Sequence, residues 1–293
     1  MWTNSSRTMA GLPADKSSTS RNGAALLKNL FDVIKPLESI AVGFSGGVDS
    51  TVVAAAAAQV LGREKTLAVT AQSETLPARE LDESRRLAAQ LGIRLAIIQT
   101  RELDDPGFAA NGPDRCYHCK SELWRKVRLL AQEKGLAHIA DGVNADDLGD
   151  FRPGIKASDE AGVIHPLARI EAGKQQVRLL ARHLGLENWE KPAQACLSSR
   201  FPYGTRLTPA ALARVGQAEE FMRSLGFKQL RVRDHGAVAR IEIPVEELAR
   251  LVSSEGRQQV VDRLKKLGYT YIALDLEGFR SGSMNDALEI IDS

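Results

Sequence analysis

The six residues Ser45-Gly46-Gly47-Val48-Asp49-Ser50 constrain the fold of this chain more than any other stretch. They follow the apolar run Ser39–Phe44 and open the alanine-rich segment Thr51–Leu61, so the pattern predicts a strand, a tight turn and a helix in succession. Paired glycines let backbone N–H groups approach an anion with no Cβ in the way. Ser45 and Ser50 add hydroxyls, and the helix start contributes the positive end of its dipole. Such a turn is a phosphate cradle. A plain turn in which Asp49 or Ser50 only caps the helix would use the same residues.

No Gly-x-x-x-x-Gly-Lys-Ser/Thr string occurs and no lysine adjoins the turn, which separates it from the Walker-type loop. S-G-G-V-D-S instead resembles the PP-loop of the ATP pyrophosphatases, enzymes that adenylate a carboxyl or carbonyl oxygen and release pyrophosphate. That resemblance implies ATP held by Ser45, Gly46, Gly47, Asp49 and Ser50, with Asp49 also catalytic.

Around the turn the apolar periodicity alternates. A helix is expected at Ala24–Leu37 and another at Pro77–Leu91, with strands at Lys65–Ala71 and Ile93–Gln99. A helix at Ser121–Lys134 and a strand at Ala137–Asp141 continue the series. Strands joined by helical crossovers imply an α/β fold, a parallel twisted sheet with helices on both faces and ligands at the carboxyl ends of the strands. The loop Gly142–Gly154 lies at such an end. Gly142 is expected beside ATP, and Asp146 is a candidate carboxylate for Mg2+, although Asp and Asn also serve as ordinary turn formers.

After a helix at Gly173–Leu184 the pattern changes. A helix at Pro209–Leu225, strands at Gln229–Asp234 and Ala237–Ile243, helical residues Val245–Leu267 and a strand Thr270–Leu276 read as a small α+β domain. His235-Gly236 is placed to turn a hairpin. The expected organisation is a disordered polar tail (1–22), a nucleotide-binding α/β domain (23–205) and a C-terminal α+β domain for substrate binding or oligomerisation (206–293).

The three cysteines cannot all pair as disulfides. Cys116 and Cys119 form a C-x-x-C pair expected just before a helix, and Cys196 stands alone in the loop from Lys191 to Leu207. A C-x-x-C pair is ambiguous between redox, zinc and iron–sulfur roles. Structural zinc wants four ligands, for which a distant histidine would have to complete the set. Three thiolates without a fourth fit a 4Fe–4S cluster that leaves one iron free for an extra sulfide. Three unconnected buried thiols is the plainest reading.

Five strings together resemble the LarE sulfur transferases: S-G-G-V-D-S, R-C-Y-H-C-K, D-G-V-N-A-D-D-L-G-D-F-R-P-G, A-C-L-S-S-R-F-P-Y-G-T and the terminal G-F-R-S-G-S-M-N. The resemblance runs from about Ala24 to the end. It implies an ATP-dependent sulfurtransferase that adenylates the carboxylates of pyridinium-3,5-biscarboxylic acid mononucleotide and replaces oxygen by sulfur, in making the nickel-pincer cofactor. In one branch of the family a cysteine matching Cys196 gives up its own sulfur. In the other, three cysteines hold a 4Fe–4S cluster, and Cys116, Cys119 and Cys196 place this chain there. A sulfide-supplying protein and a homo-oligomer are expected partners.

A phosphorylated dicarboxylate needs cations. Arg231 and Arg233, two apart on a strand, face the same way, and Arg280 lies in a Gly/Ser turn, so the three are assigned to the acceptor's phosphate. Arg200, beside Cys196, is assigned to an acceptor anion or to lowering the thiol pKa, with an exposed, solvated arginine as the plainer alternative. Glu220 and Glu242 are read as surface residues. Lys and Arg number 39 against 37 for Asp and Glu, a formal charge of +2, so nucleic acid is not an expected partner and a tRNA thiolase is the weaker reading. A nucleotide-binding sensor without turnover is the non-enzymatic alternative. No signal peptide or membrane span is evident, and a cytoplasmic setting is expected.

Overall fold

The structure is a computed structural model that describes residues 16–149, 152–192 and 195–280, with backbone alone at 16–22 and 254–255. Four short apolar runs form one sheet: β1 (Ile40–Gly43), β2 (Thr66–Gln72), β3 (Arg94–Gln99) and β4 (His138–Ala140). Their order is β3-β2-β1-β4 with every pairing parallel. The chain therefore winds outward from β1 to β3 and returns to the other side of β1. That reversal leaves a crevice at the carboxyl ends of β1 and β4, where open α/β sheets bind ligands.

Helices cover both faces. On one lie α1 (Lys16–Ile34), α2 (Val48–Val60), α3 (Ala78–Leu91) and, later in the chain, a helix at Lys174–His183. Helix α2 explains its own composition, because Val52, Val53 and Ala54–Ala57 are all buried and alanine lets a helix lie close to its neighbours on every side. The short α4 (Pro106–Ala109) precedes α5 (Arg115–Glu133), which covers the second face with Trp124, Val127 and Ala131. Short helices α6 (Ala145–Leu148), α7 (Pro153–Glu160) and α8 (Pro166–Arg169) lead to α9 (Lys174–His183). Trp124 Nε1 donates to Ser158 Oγ at 2.8 Å, tying α5 to α7.

The C-terminal unit is built from α10 (Pro209–Ser224), β5 (Arg231–His235), β6 (Val238–Glu242), α11 (Leu248–Val252), α12 (Ser254–Lys266) and β7 (Tyr271–Leu274). β5 and β6 are antiparallel, as expected, but the turn is Gly236-Ala237, with His235 the last residue of β5 and paired to Val238; β7 adds parallel to β6. Met222, Phe227, Val232, Ile241 and Leu264 fill its core. A separate apolar cluster of Phe108, Leu197, Phe201, Leu207, Leu212 and Val215 straddles the expected boundary near Thr205. The two units are thus packed together around residues 197–215.

The observed boundaries correct several expectations. Helix α1 begins at Lys16, so part of the supposed tail is helical, while residues 1–15 lie outside the described residues. Helix α2 starts at Val48 and places Asp49 and Ser50 in its first turn. Helix α5 starts at Arg115 rather than Ser121, so Cys116 and Cys119 are one helical turn apart on one face. The loop after β4 contains α6, closed by a capping box between Asn144 and Asp147. Asp150, Phe151 and Ser281–Asn285 from the quoted strings, and Ala193 and Gln194 from the loop Lys191–Leu207, fall outside the described residues.

Candidate active site

The cradle has the geometry that its sequence demands. Gly46 adopts φ +67°, a left-handed conformation that glycine takes without strain, and Gly47 precedes α2 in an extended conformation. Ser50 Oγ accepts from the Ser45 N–H at 3.2 Å, and Ser45 Oγ accepts from the Gly47 N–H at 3.3 Å. Ser45 itself is exposed at the mouth of the turn. Gly142 has a steric role of its own. A Cβ there would lie 2.6 Å from Ser50 N and 2.9 Å from the Asp49 carbonyl carbon, so glycine is what allows the end of β4 to close against the start of α2.

Asp49 is held by Asn144, whose Nδ2 donates to Asp49 Oδ1 at 2.9 Å. Burial raises the Asp49 pKa, and the nearby Asp147 adds to the rise, while the Asn144 bond and Lys174 oppose it. Asp146 serves as a helix cap instead, since its Oδ2 accepts from the Lys174 N–H at 2.8 Å at the start of α9. Among the described residues no three His, Cys, Asp or Glu side chains are grouped to hold a metal ion. Mg2+ seldom occupies an all-protein cage and is more often carried by phosphates with one or two carboxylates. Asp49, in the cradle, suits that role better than Asp146.

Lysine does reach the loop, from far along the chain. Lys191 Nζ donates to Gly46 O at 3.1 Å and to Glu80 Oε2 at 2.9 Å. Asn188 Nδ2 donates to the same carbonyl at 3.3 Å and to Thr51 Oγ1 at 3.0 Å. No local motif announces either residue.

The cysteines converge. The Cys119 thiol is pushed up by burial first, and then by the charges of Glu102, Cys196 and Cys116, which places the other two sulfurs within electrostatic reach. Arg115 lies among them, 3% exposed, donating to Asn111 Oδ1 at 2.5 Å and to Ser198 O at 3.1 Å. Burial opposes its charge, but Cys196 and Cys116 outweigh that and raise its pKa. His118, between the two cysteines, turns away to Asp105 at 2.9 Å. Three thiols are the donor type an iron–sulfur cluster takes, but among the described residues they are not grouped to hold a metal ion.

The arginines divide into anchors and one free group. Arg200 is not solvated: it is 3% exposed and pairs through Nε and Nη2 with Glu219 at 2.7 and 3.0 Å. Its Nη1 donates to the carbonyls of Ala195 and Cys196 at 3.0 and 3.2 Å, so it fixes the backbone that carries the thiol. Glu242, read as a surface residue, is 1% exposed and receives both arms of Arg233 at 2.8 and 3.0 Å. Arg233 Nη1 also reaches Ser199 O at 2.6 Å. Arg231 differs: among the described residues no carboxylate pairs with it. Its guanidinium stacks 4.6 Å from the Phe279 ring centroid and donates to Arg280 O at 3.1 Å. Burial, then Arg233 and Arg200, push its pKa down to about 10. Arg280 turns to Glu277 at 2.7 Å, with half of its side chain exposed. Glu220 is exposed, as read from the sequence, whereas Glu219, the buried carboxylate beside it, is not singled out there.

An all-parallel sheet with this cradle at its switch point defines an ATP-dependent enzyme of the PP-loop ATP pyrophosphatase class. Residues 25–111 match the NAD synthase family model. The chain is 44% identical over 262 residues to an uncharacterised protein of Synechocystis, covering 89% of this chain and 97% of that one. It is 42% identical over 259 residues to the pyridinium-3,5-bisthiocarboxylic acid mononucleotide synthase of Lactiplantibacillus plantarum, covering 88% and 93%. An NH3-dependent NAD+ synthetase of Chlorobaculum tepidum is 29% identical over half of the chain, 153 residues. The chain belongs to the LarE family of PP-loop enzymes, to which the Lactiplantibacillus synthase also belongs. No helix among the described residues is long and apolar enough to cross a membrane.

Proposed function

We propose that this enzyme activates the carboxylates of pyridinium-3,5-biscarboxylic acid mononucleotide with ATP and converts each to a thiocarboxylate. The observation that carries the reading is the position of the Cys196 loop, held between the phosphate-loop domain and the arginine cluster of the C-terminal domain. Leu197 N donates to Thr75 O at 3.0 Å on one side, and Arg200 and Arg233 grip the loop from the other. In the first step a carboxylate oxygen attacks the α-phosphorus of ATP and pyrophosphate departs. In the second, sulfur attacks the acyl carbon and AMP leaves with the original oxygen. The gain is in the leaving group, since AMP departs far more readily than an oxide ion.

In this scheme the N–H groups of the turn, with Ser45 and Ser50, receive the departing pyrophosphate as its charge grows. Mg2+ would supply charge neutralisation at the phosphates when bound, with Asp49, in the first turn of α2, as the carboxylate that would hold it. Arg231 takes the phosphate of the acceptor. Cys116, Cys119 and Cys196 would hold a 4Fe–4S cluster, which supplies a site for exchangeable sulfide when bound. A second reading has Cys196 as the expended donor, because the loop gripped from both sides carries that thiol alone.

Anaerobic iron and sulfide analysis, joined to turnover in Cys116→Ala and Cys119→Ala, tests the scheme. The cluster reading expects both variants to lose visible absorption and sulfur transfer. Full single-turnover activity in both, with dehydroalanine at Cys196 by intact mass, would establish the expended-cysteine route instead. Absence of acceptor-dependent pyrophosphate release from the unmodified enzyme would remove both.

A further inference from the structure

The turn offers a phosphate only neutral donors, backbone N–H groups and the hydroxyls of Ser45 and Ser50. A pyrophosphate leaving group is a multiply charged anion, and charge-assisted bonds are roughly twice as strong as neutral ones. The ammonium hydrogen-bonded to this loop is that of Lys191. We propose that Lys191 contacts the pyrophosphate portion of ATP, supplying from a distant part of the chain the cation that the turn lacks.

Several features fit a cation poised for an anion rather than a fixed strut. An ammonium carries three donors, and the two acceptors it holds are Gly46 O and Glu80 Oε2. One donor is left for a ligand. Gly46 belongs to the turn itself, so an anion seated on the turn lies within reach of the same Nζ. The side chain is 15% exposed, a setting in which solvent screens its charge less than at the surface. Glu80 does not depend on Lys191 alone, since Arg79 Nη2 stands 3.2 Å from Glu80 Oε1. The ammonium can therefore turn toward a phosphate without leaving a buried carboxylate bare. Asn188 shares the Gly46 carbonyl and also has an unpartnered, buried Oδ1, so the polar shell around this corner of the loop is incomplete without a ligand or water. Lys174, a lysine within electrostatic reach of Asp49, is exposed on α9.

The test compares ATP, AMP and inorganic pyrophosphate as ligands of the full-length enzyme by calorimetric titration. In Lys191→Met the Kd for ATP and the inhibition constant for pyrophosphate are expected to rise at least tenfold, with the Kd for AMP unchanged, because AMP lacks the phosphates concerned. Lys191→Arg should recover most of the loss. If ATP and AMP weaken equally, the lysine merely shapes the turn and the proposal is overturned. Unchanged ATP and pyrophosphate binding overturns it also. Glu80→Gln gives an independent reading if Lys191→Met does not fold. Freeing the ammonium should leave ATP binding intact or tighter, and a joint loss of ATP and AMP would show the ion pair to be structural.

Discussion

Glu219 offers the sharpest test of how the sulfur-bearing loop is held. Its carboxylate is 1% exposed and accepts from Arg200 Nε and Nη2, from Arg223 Nη2 at 3.0 Å and from the Val232 N–H at 3.2 Å. Burial disfavours the carboxylate, yet Arg200 and Arg223 together hold its pKa below the usual range. Glu219→Leu leaves the Arg200 guanidinium buried with its counter-charge gone, which costs about 3–5 kcal/mol. At roughly 2 °C of Tm per kcal/mol for a chain of this size, the melting temperature should fall by about 6–10 °C. Arg200→Met should cost a similar amount. The double variant Glu219→Leu/Arg200→Met should be less destabilised than the sum of the single changes by about 3 kcal/mol, because removing both partners leaves no bare charge. Thermal and urea unfolding of the four proteins, the native chain and its three variants, closes the cycle. Strict additivity would refute the claim that this pair acts as one unit. Sulfur transfer reports separately: it should fall in Arg200→Met and in the double variant, even with recovered stability, since there the carbonyls of Ala195 and Cys196 have lost their donor.

Two further outcomes follow from the site. Asp49→Asn should raise the Tm of the ligand-free enzyme at neutral pH while lowering acceptor-dependent pyrophosphate release by about 10²–10³. The sign is set by the raised pKa: the native state binds the Asp49 proton more tightly than the unfolded chain, so the cost is full above the native pKa and fades as pH falls toward 3.8. Stability gained from the asparagine should shrink over the same fall in pH, and a gain that does not change with pH would place its origin elsewhere. Arg231→Ala should weaken acceptor binding by about 1.5–3 kcal/mol with ATP binding and Tm nearly constant, as expected for loss of one charge-assisted contact. Arg233→Ala should instead lower stability by about 3–5 kcal/mol, because Glu242 is left buried without its bidentate partner. Equal Tm values for the two variants would undo the division of the arginines into free and anchoring groups.

What is legible in the sequence follows a physical line. The strand-turn-helix cradle, the parallel sheet and the β5–β6 hairpin rest on local patterns, namely apolar periodicity and glycine placement, and the fold agrees with them. The start of α5 escapes such patterns because Cys116, Tyr117 and His118 are weak helix formers, and packing of the helix on the sheet decides the matter in their place. Glu242 reads as a surface residue, and Arg200 as an anion contact or a solvated side chain, because charged residues usually face ligand or solvent and no single-chain pattern tells a buried ion pair from a surface one. Lys191 and Gly46 meet only through the tertiary fold. Asp146 and Asp147 are adjacent in sequence, yet one caps α9 and the other completes the α6 capping box, a division set by helix geometry alone.

The short run Cys196–Arg200 is tied to both units at once: Leu197 N to Thr75, Ser198 O to Arg115, Ser199 O to Arg233 and the Arg200 side chain to Glu219. A segment anchored at nearly every residue has little freedom to swing. If an acceptor presents two carboxylates in turn, the moving part is then the acceptor. It must let go, turn end for end and seat its second arm against a sulfur that has stayed where it was, so the half-converted product becomes a substrate in its own right, competing with fresh acceptor for the same pocket.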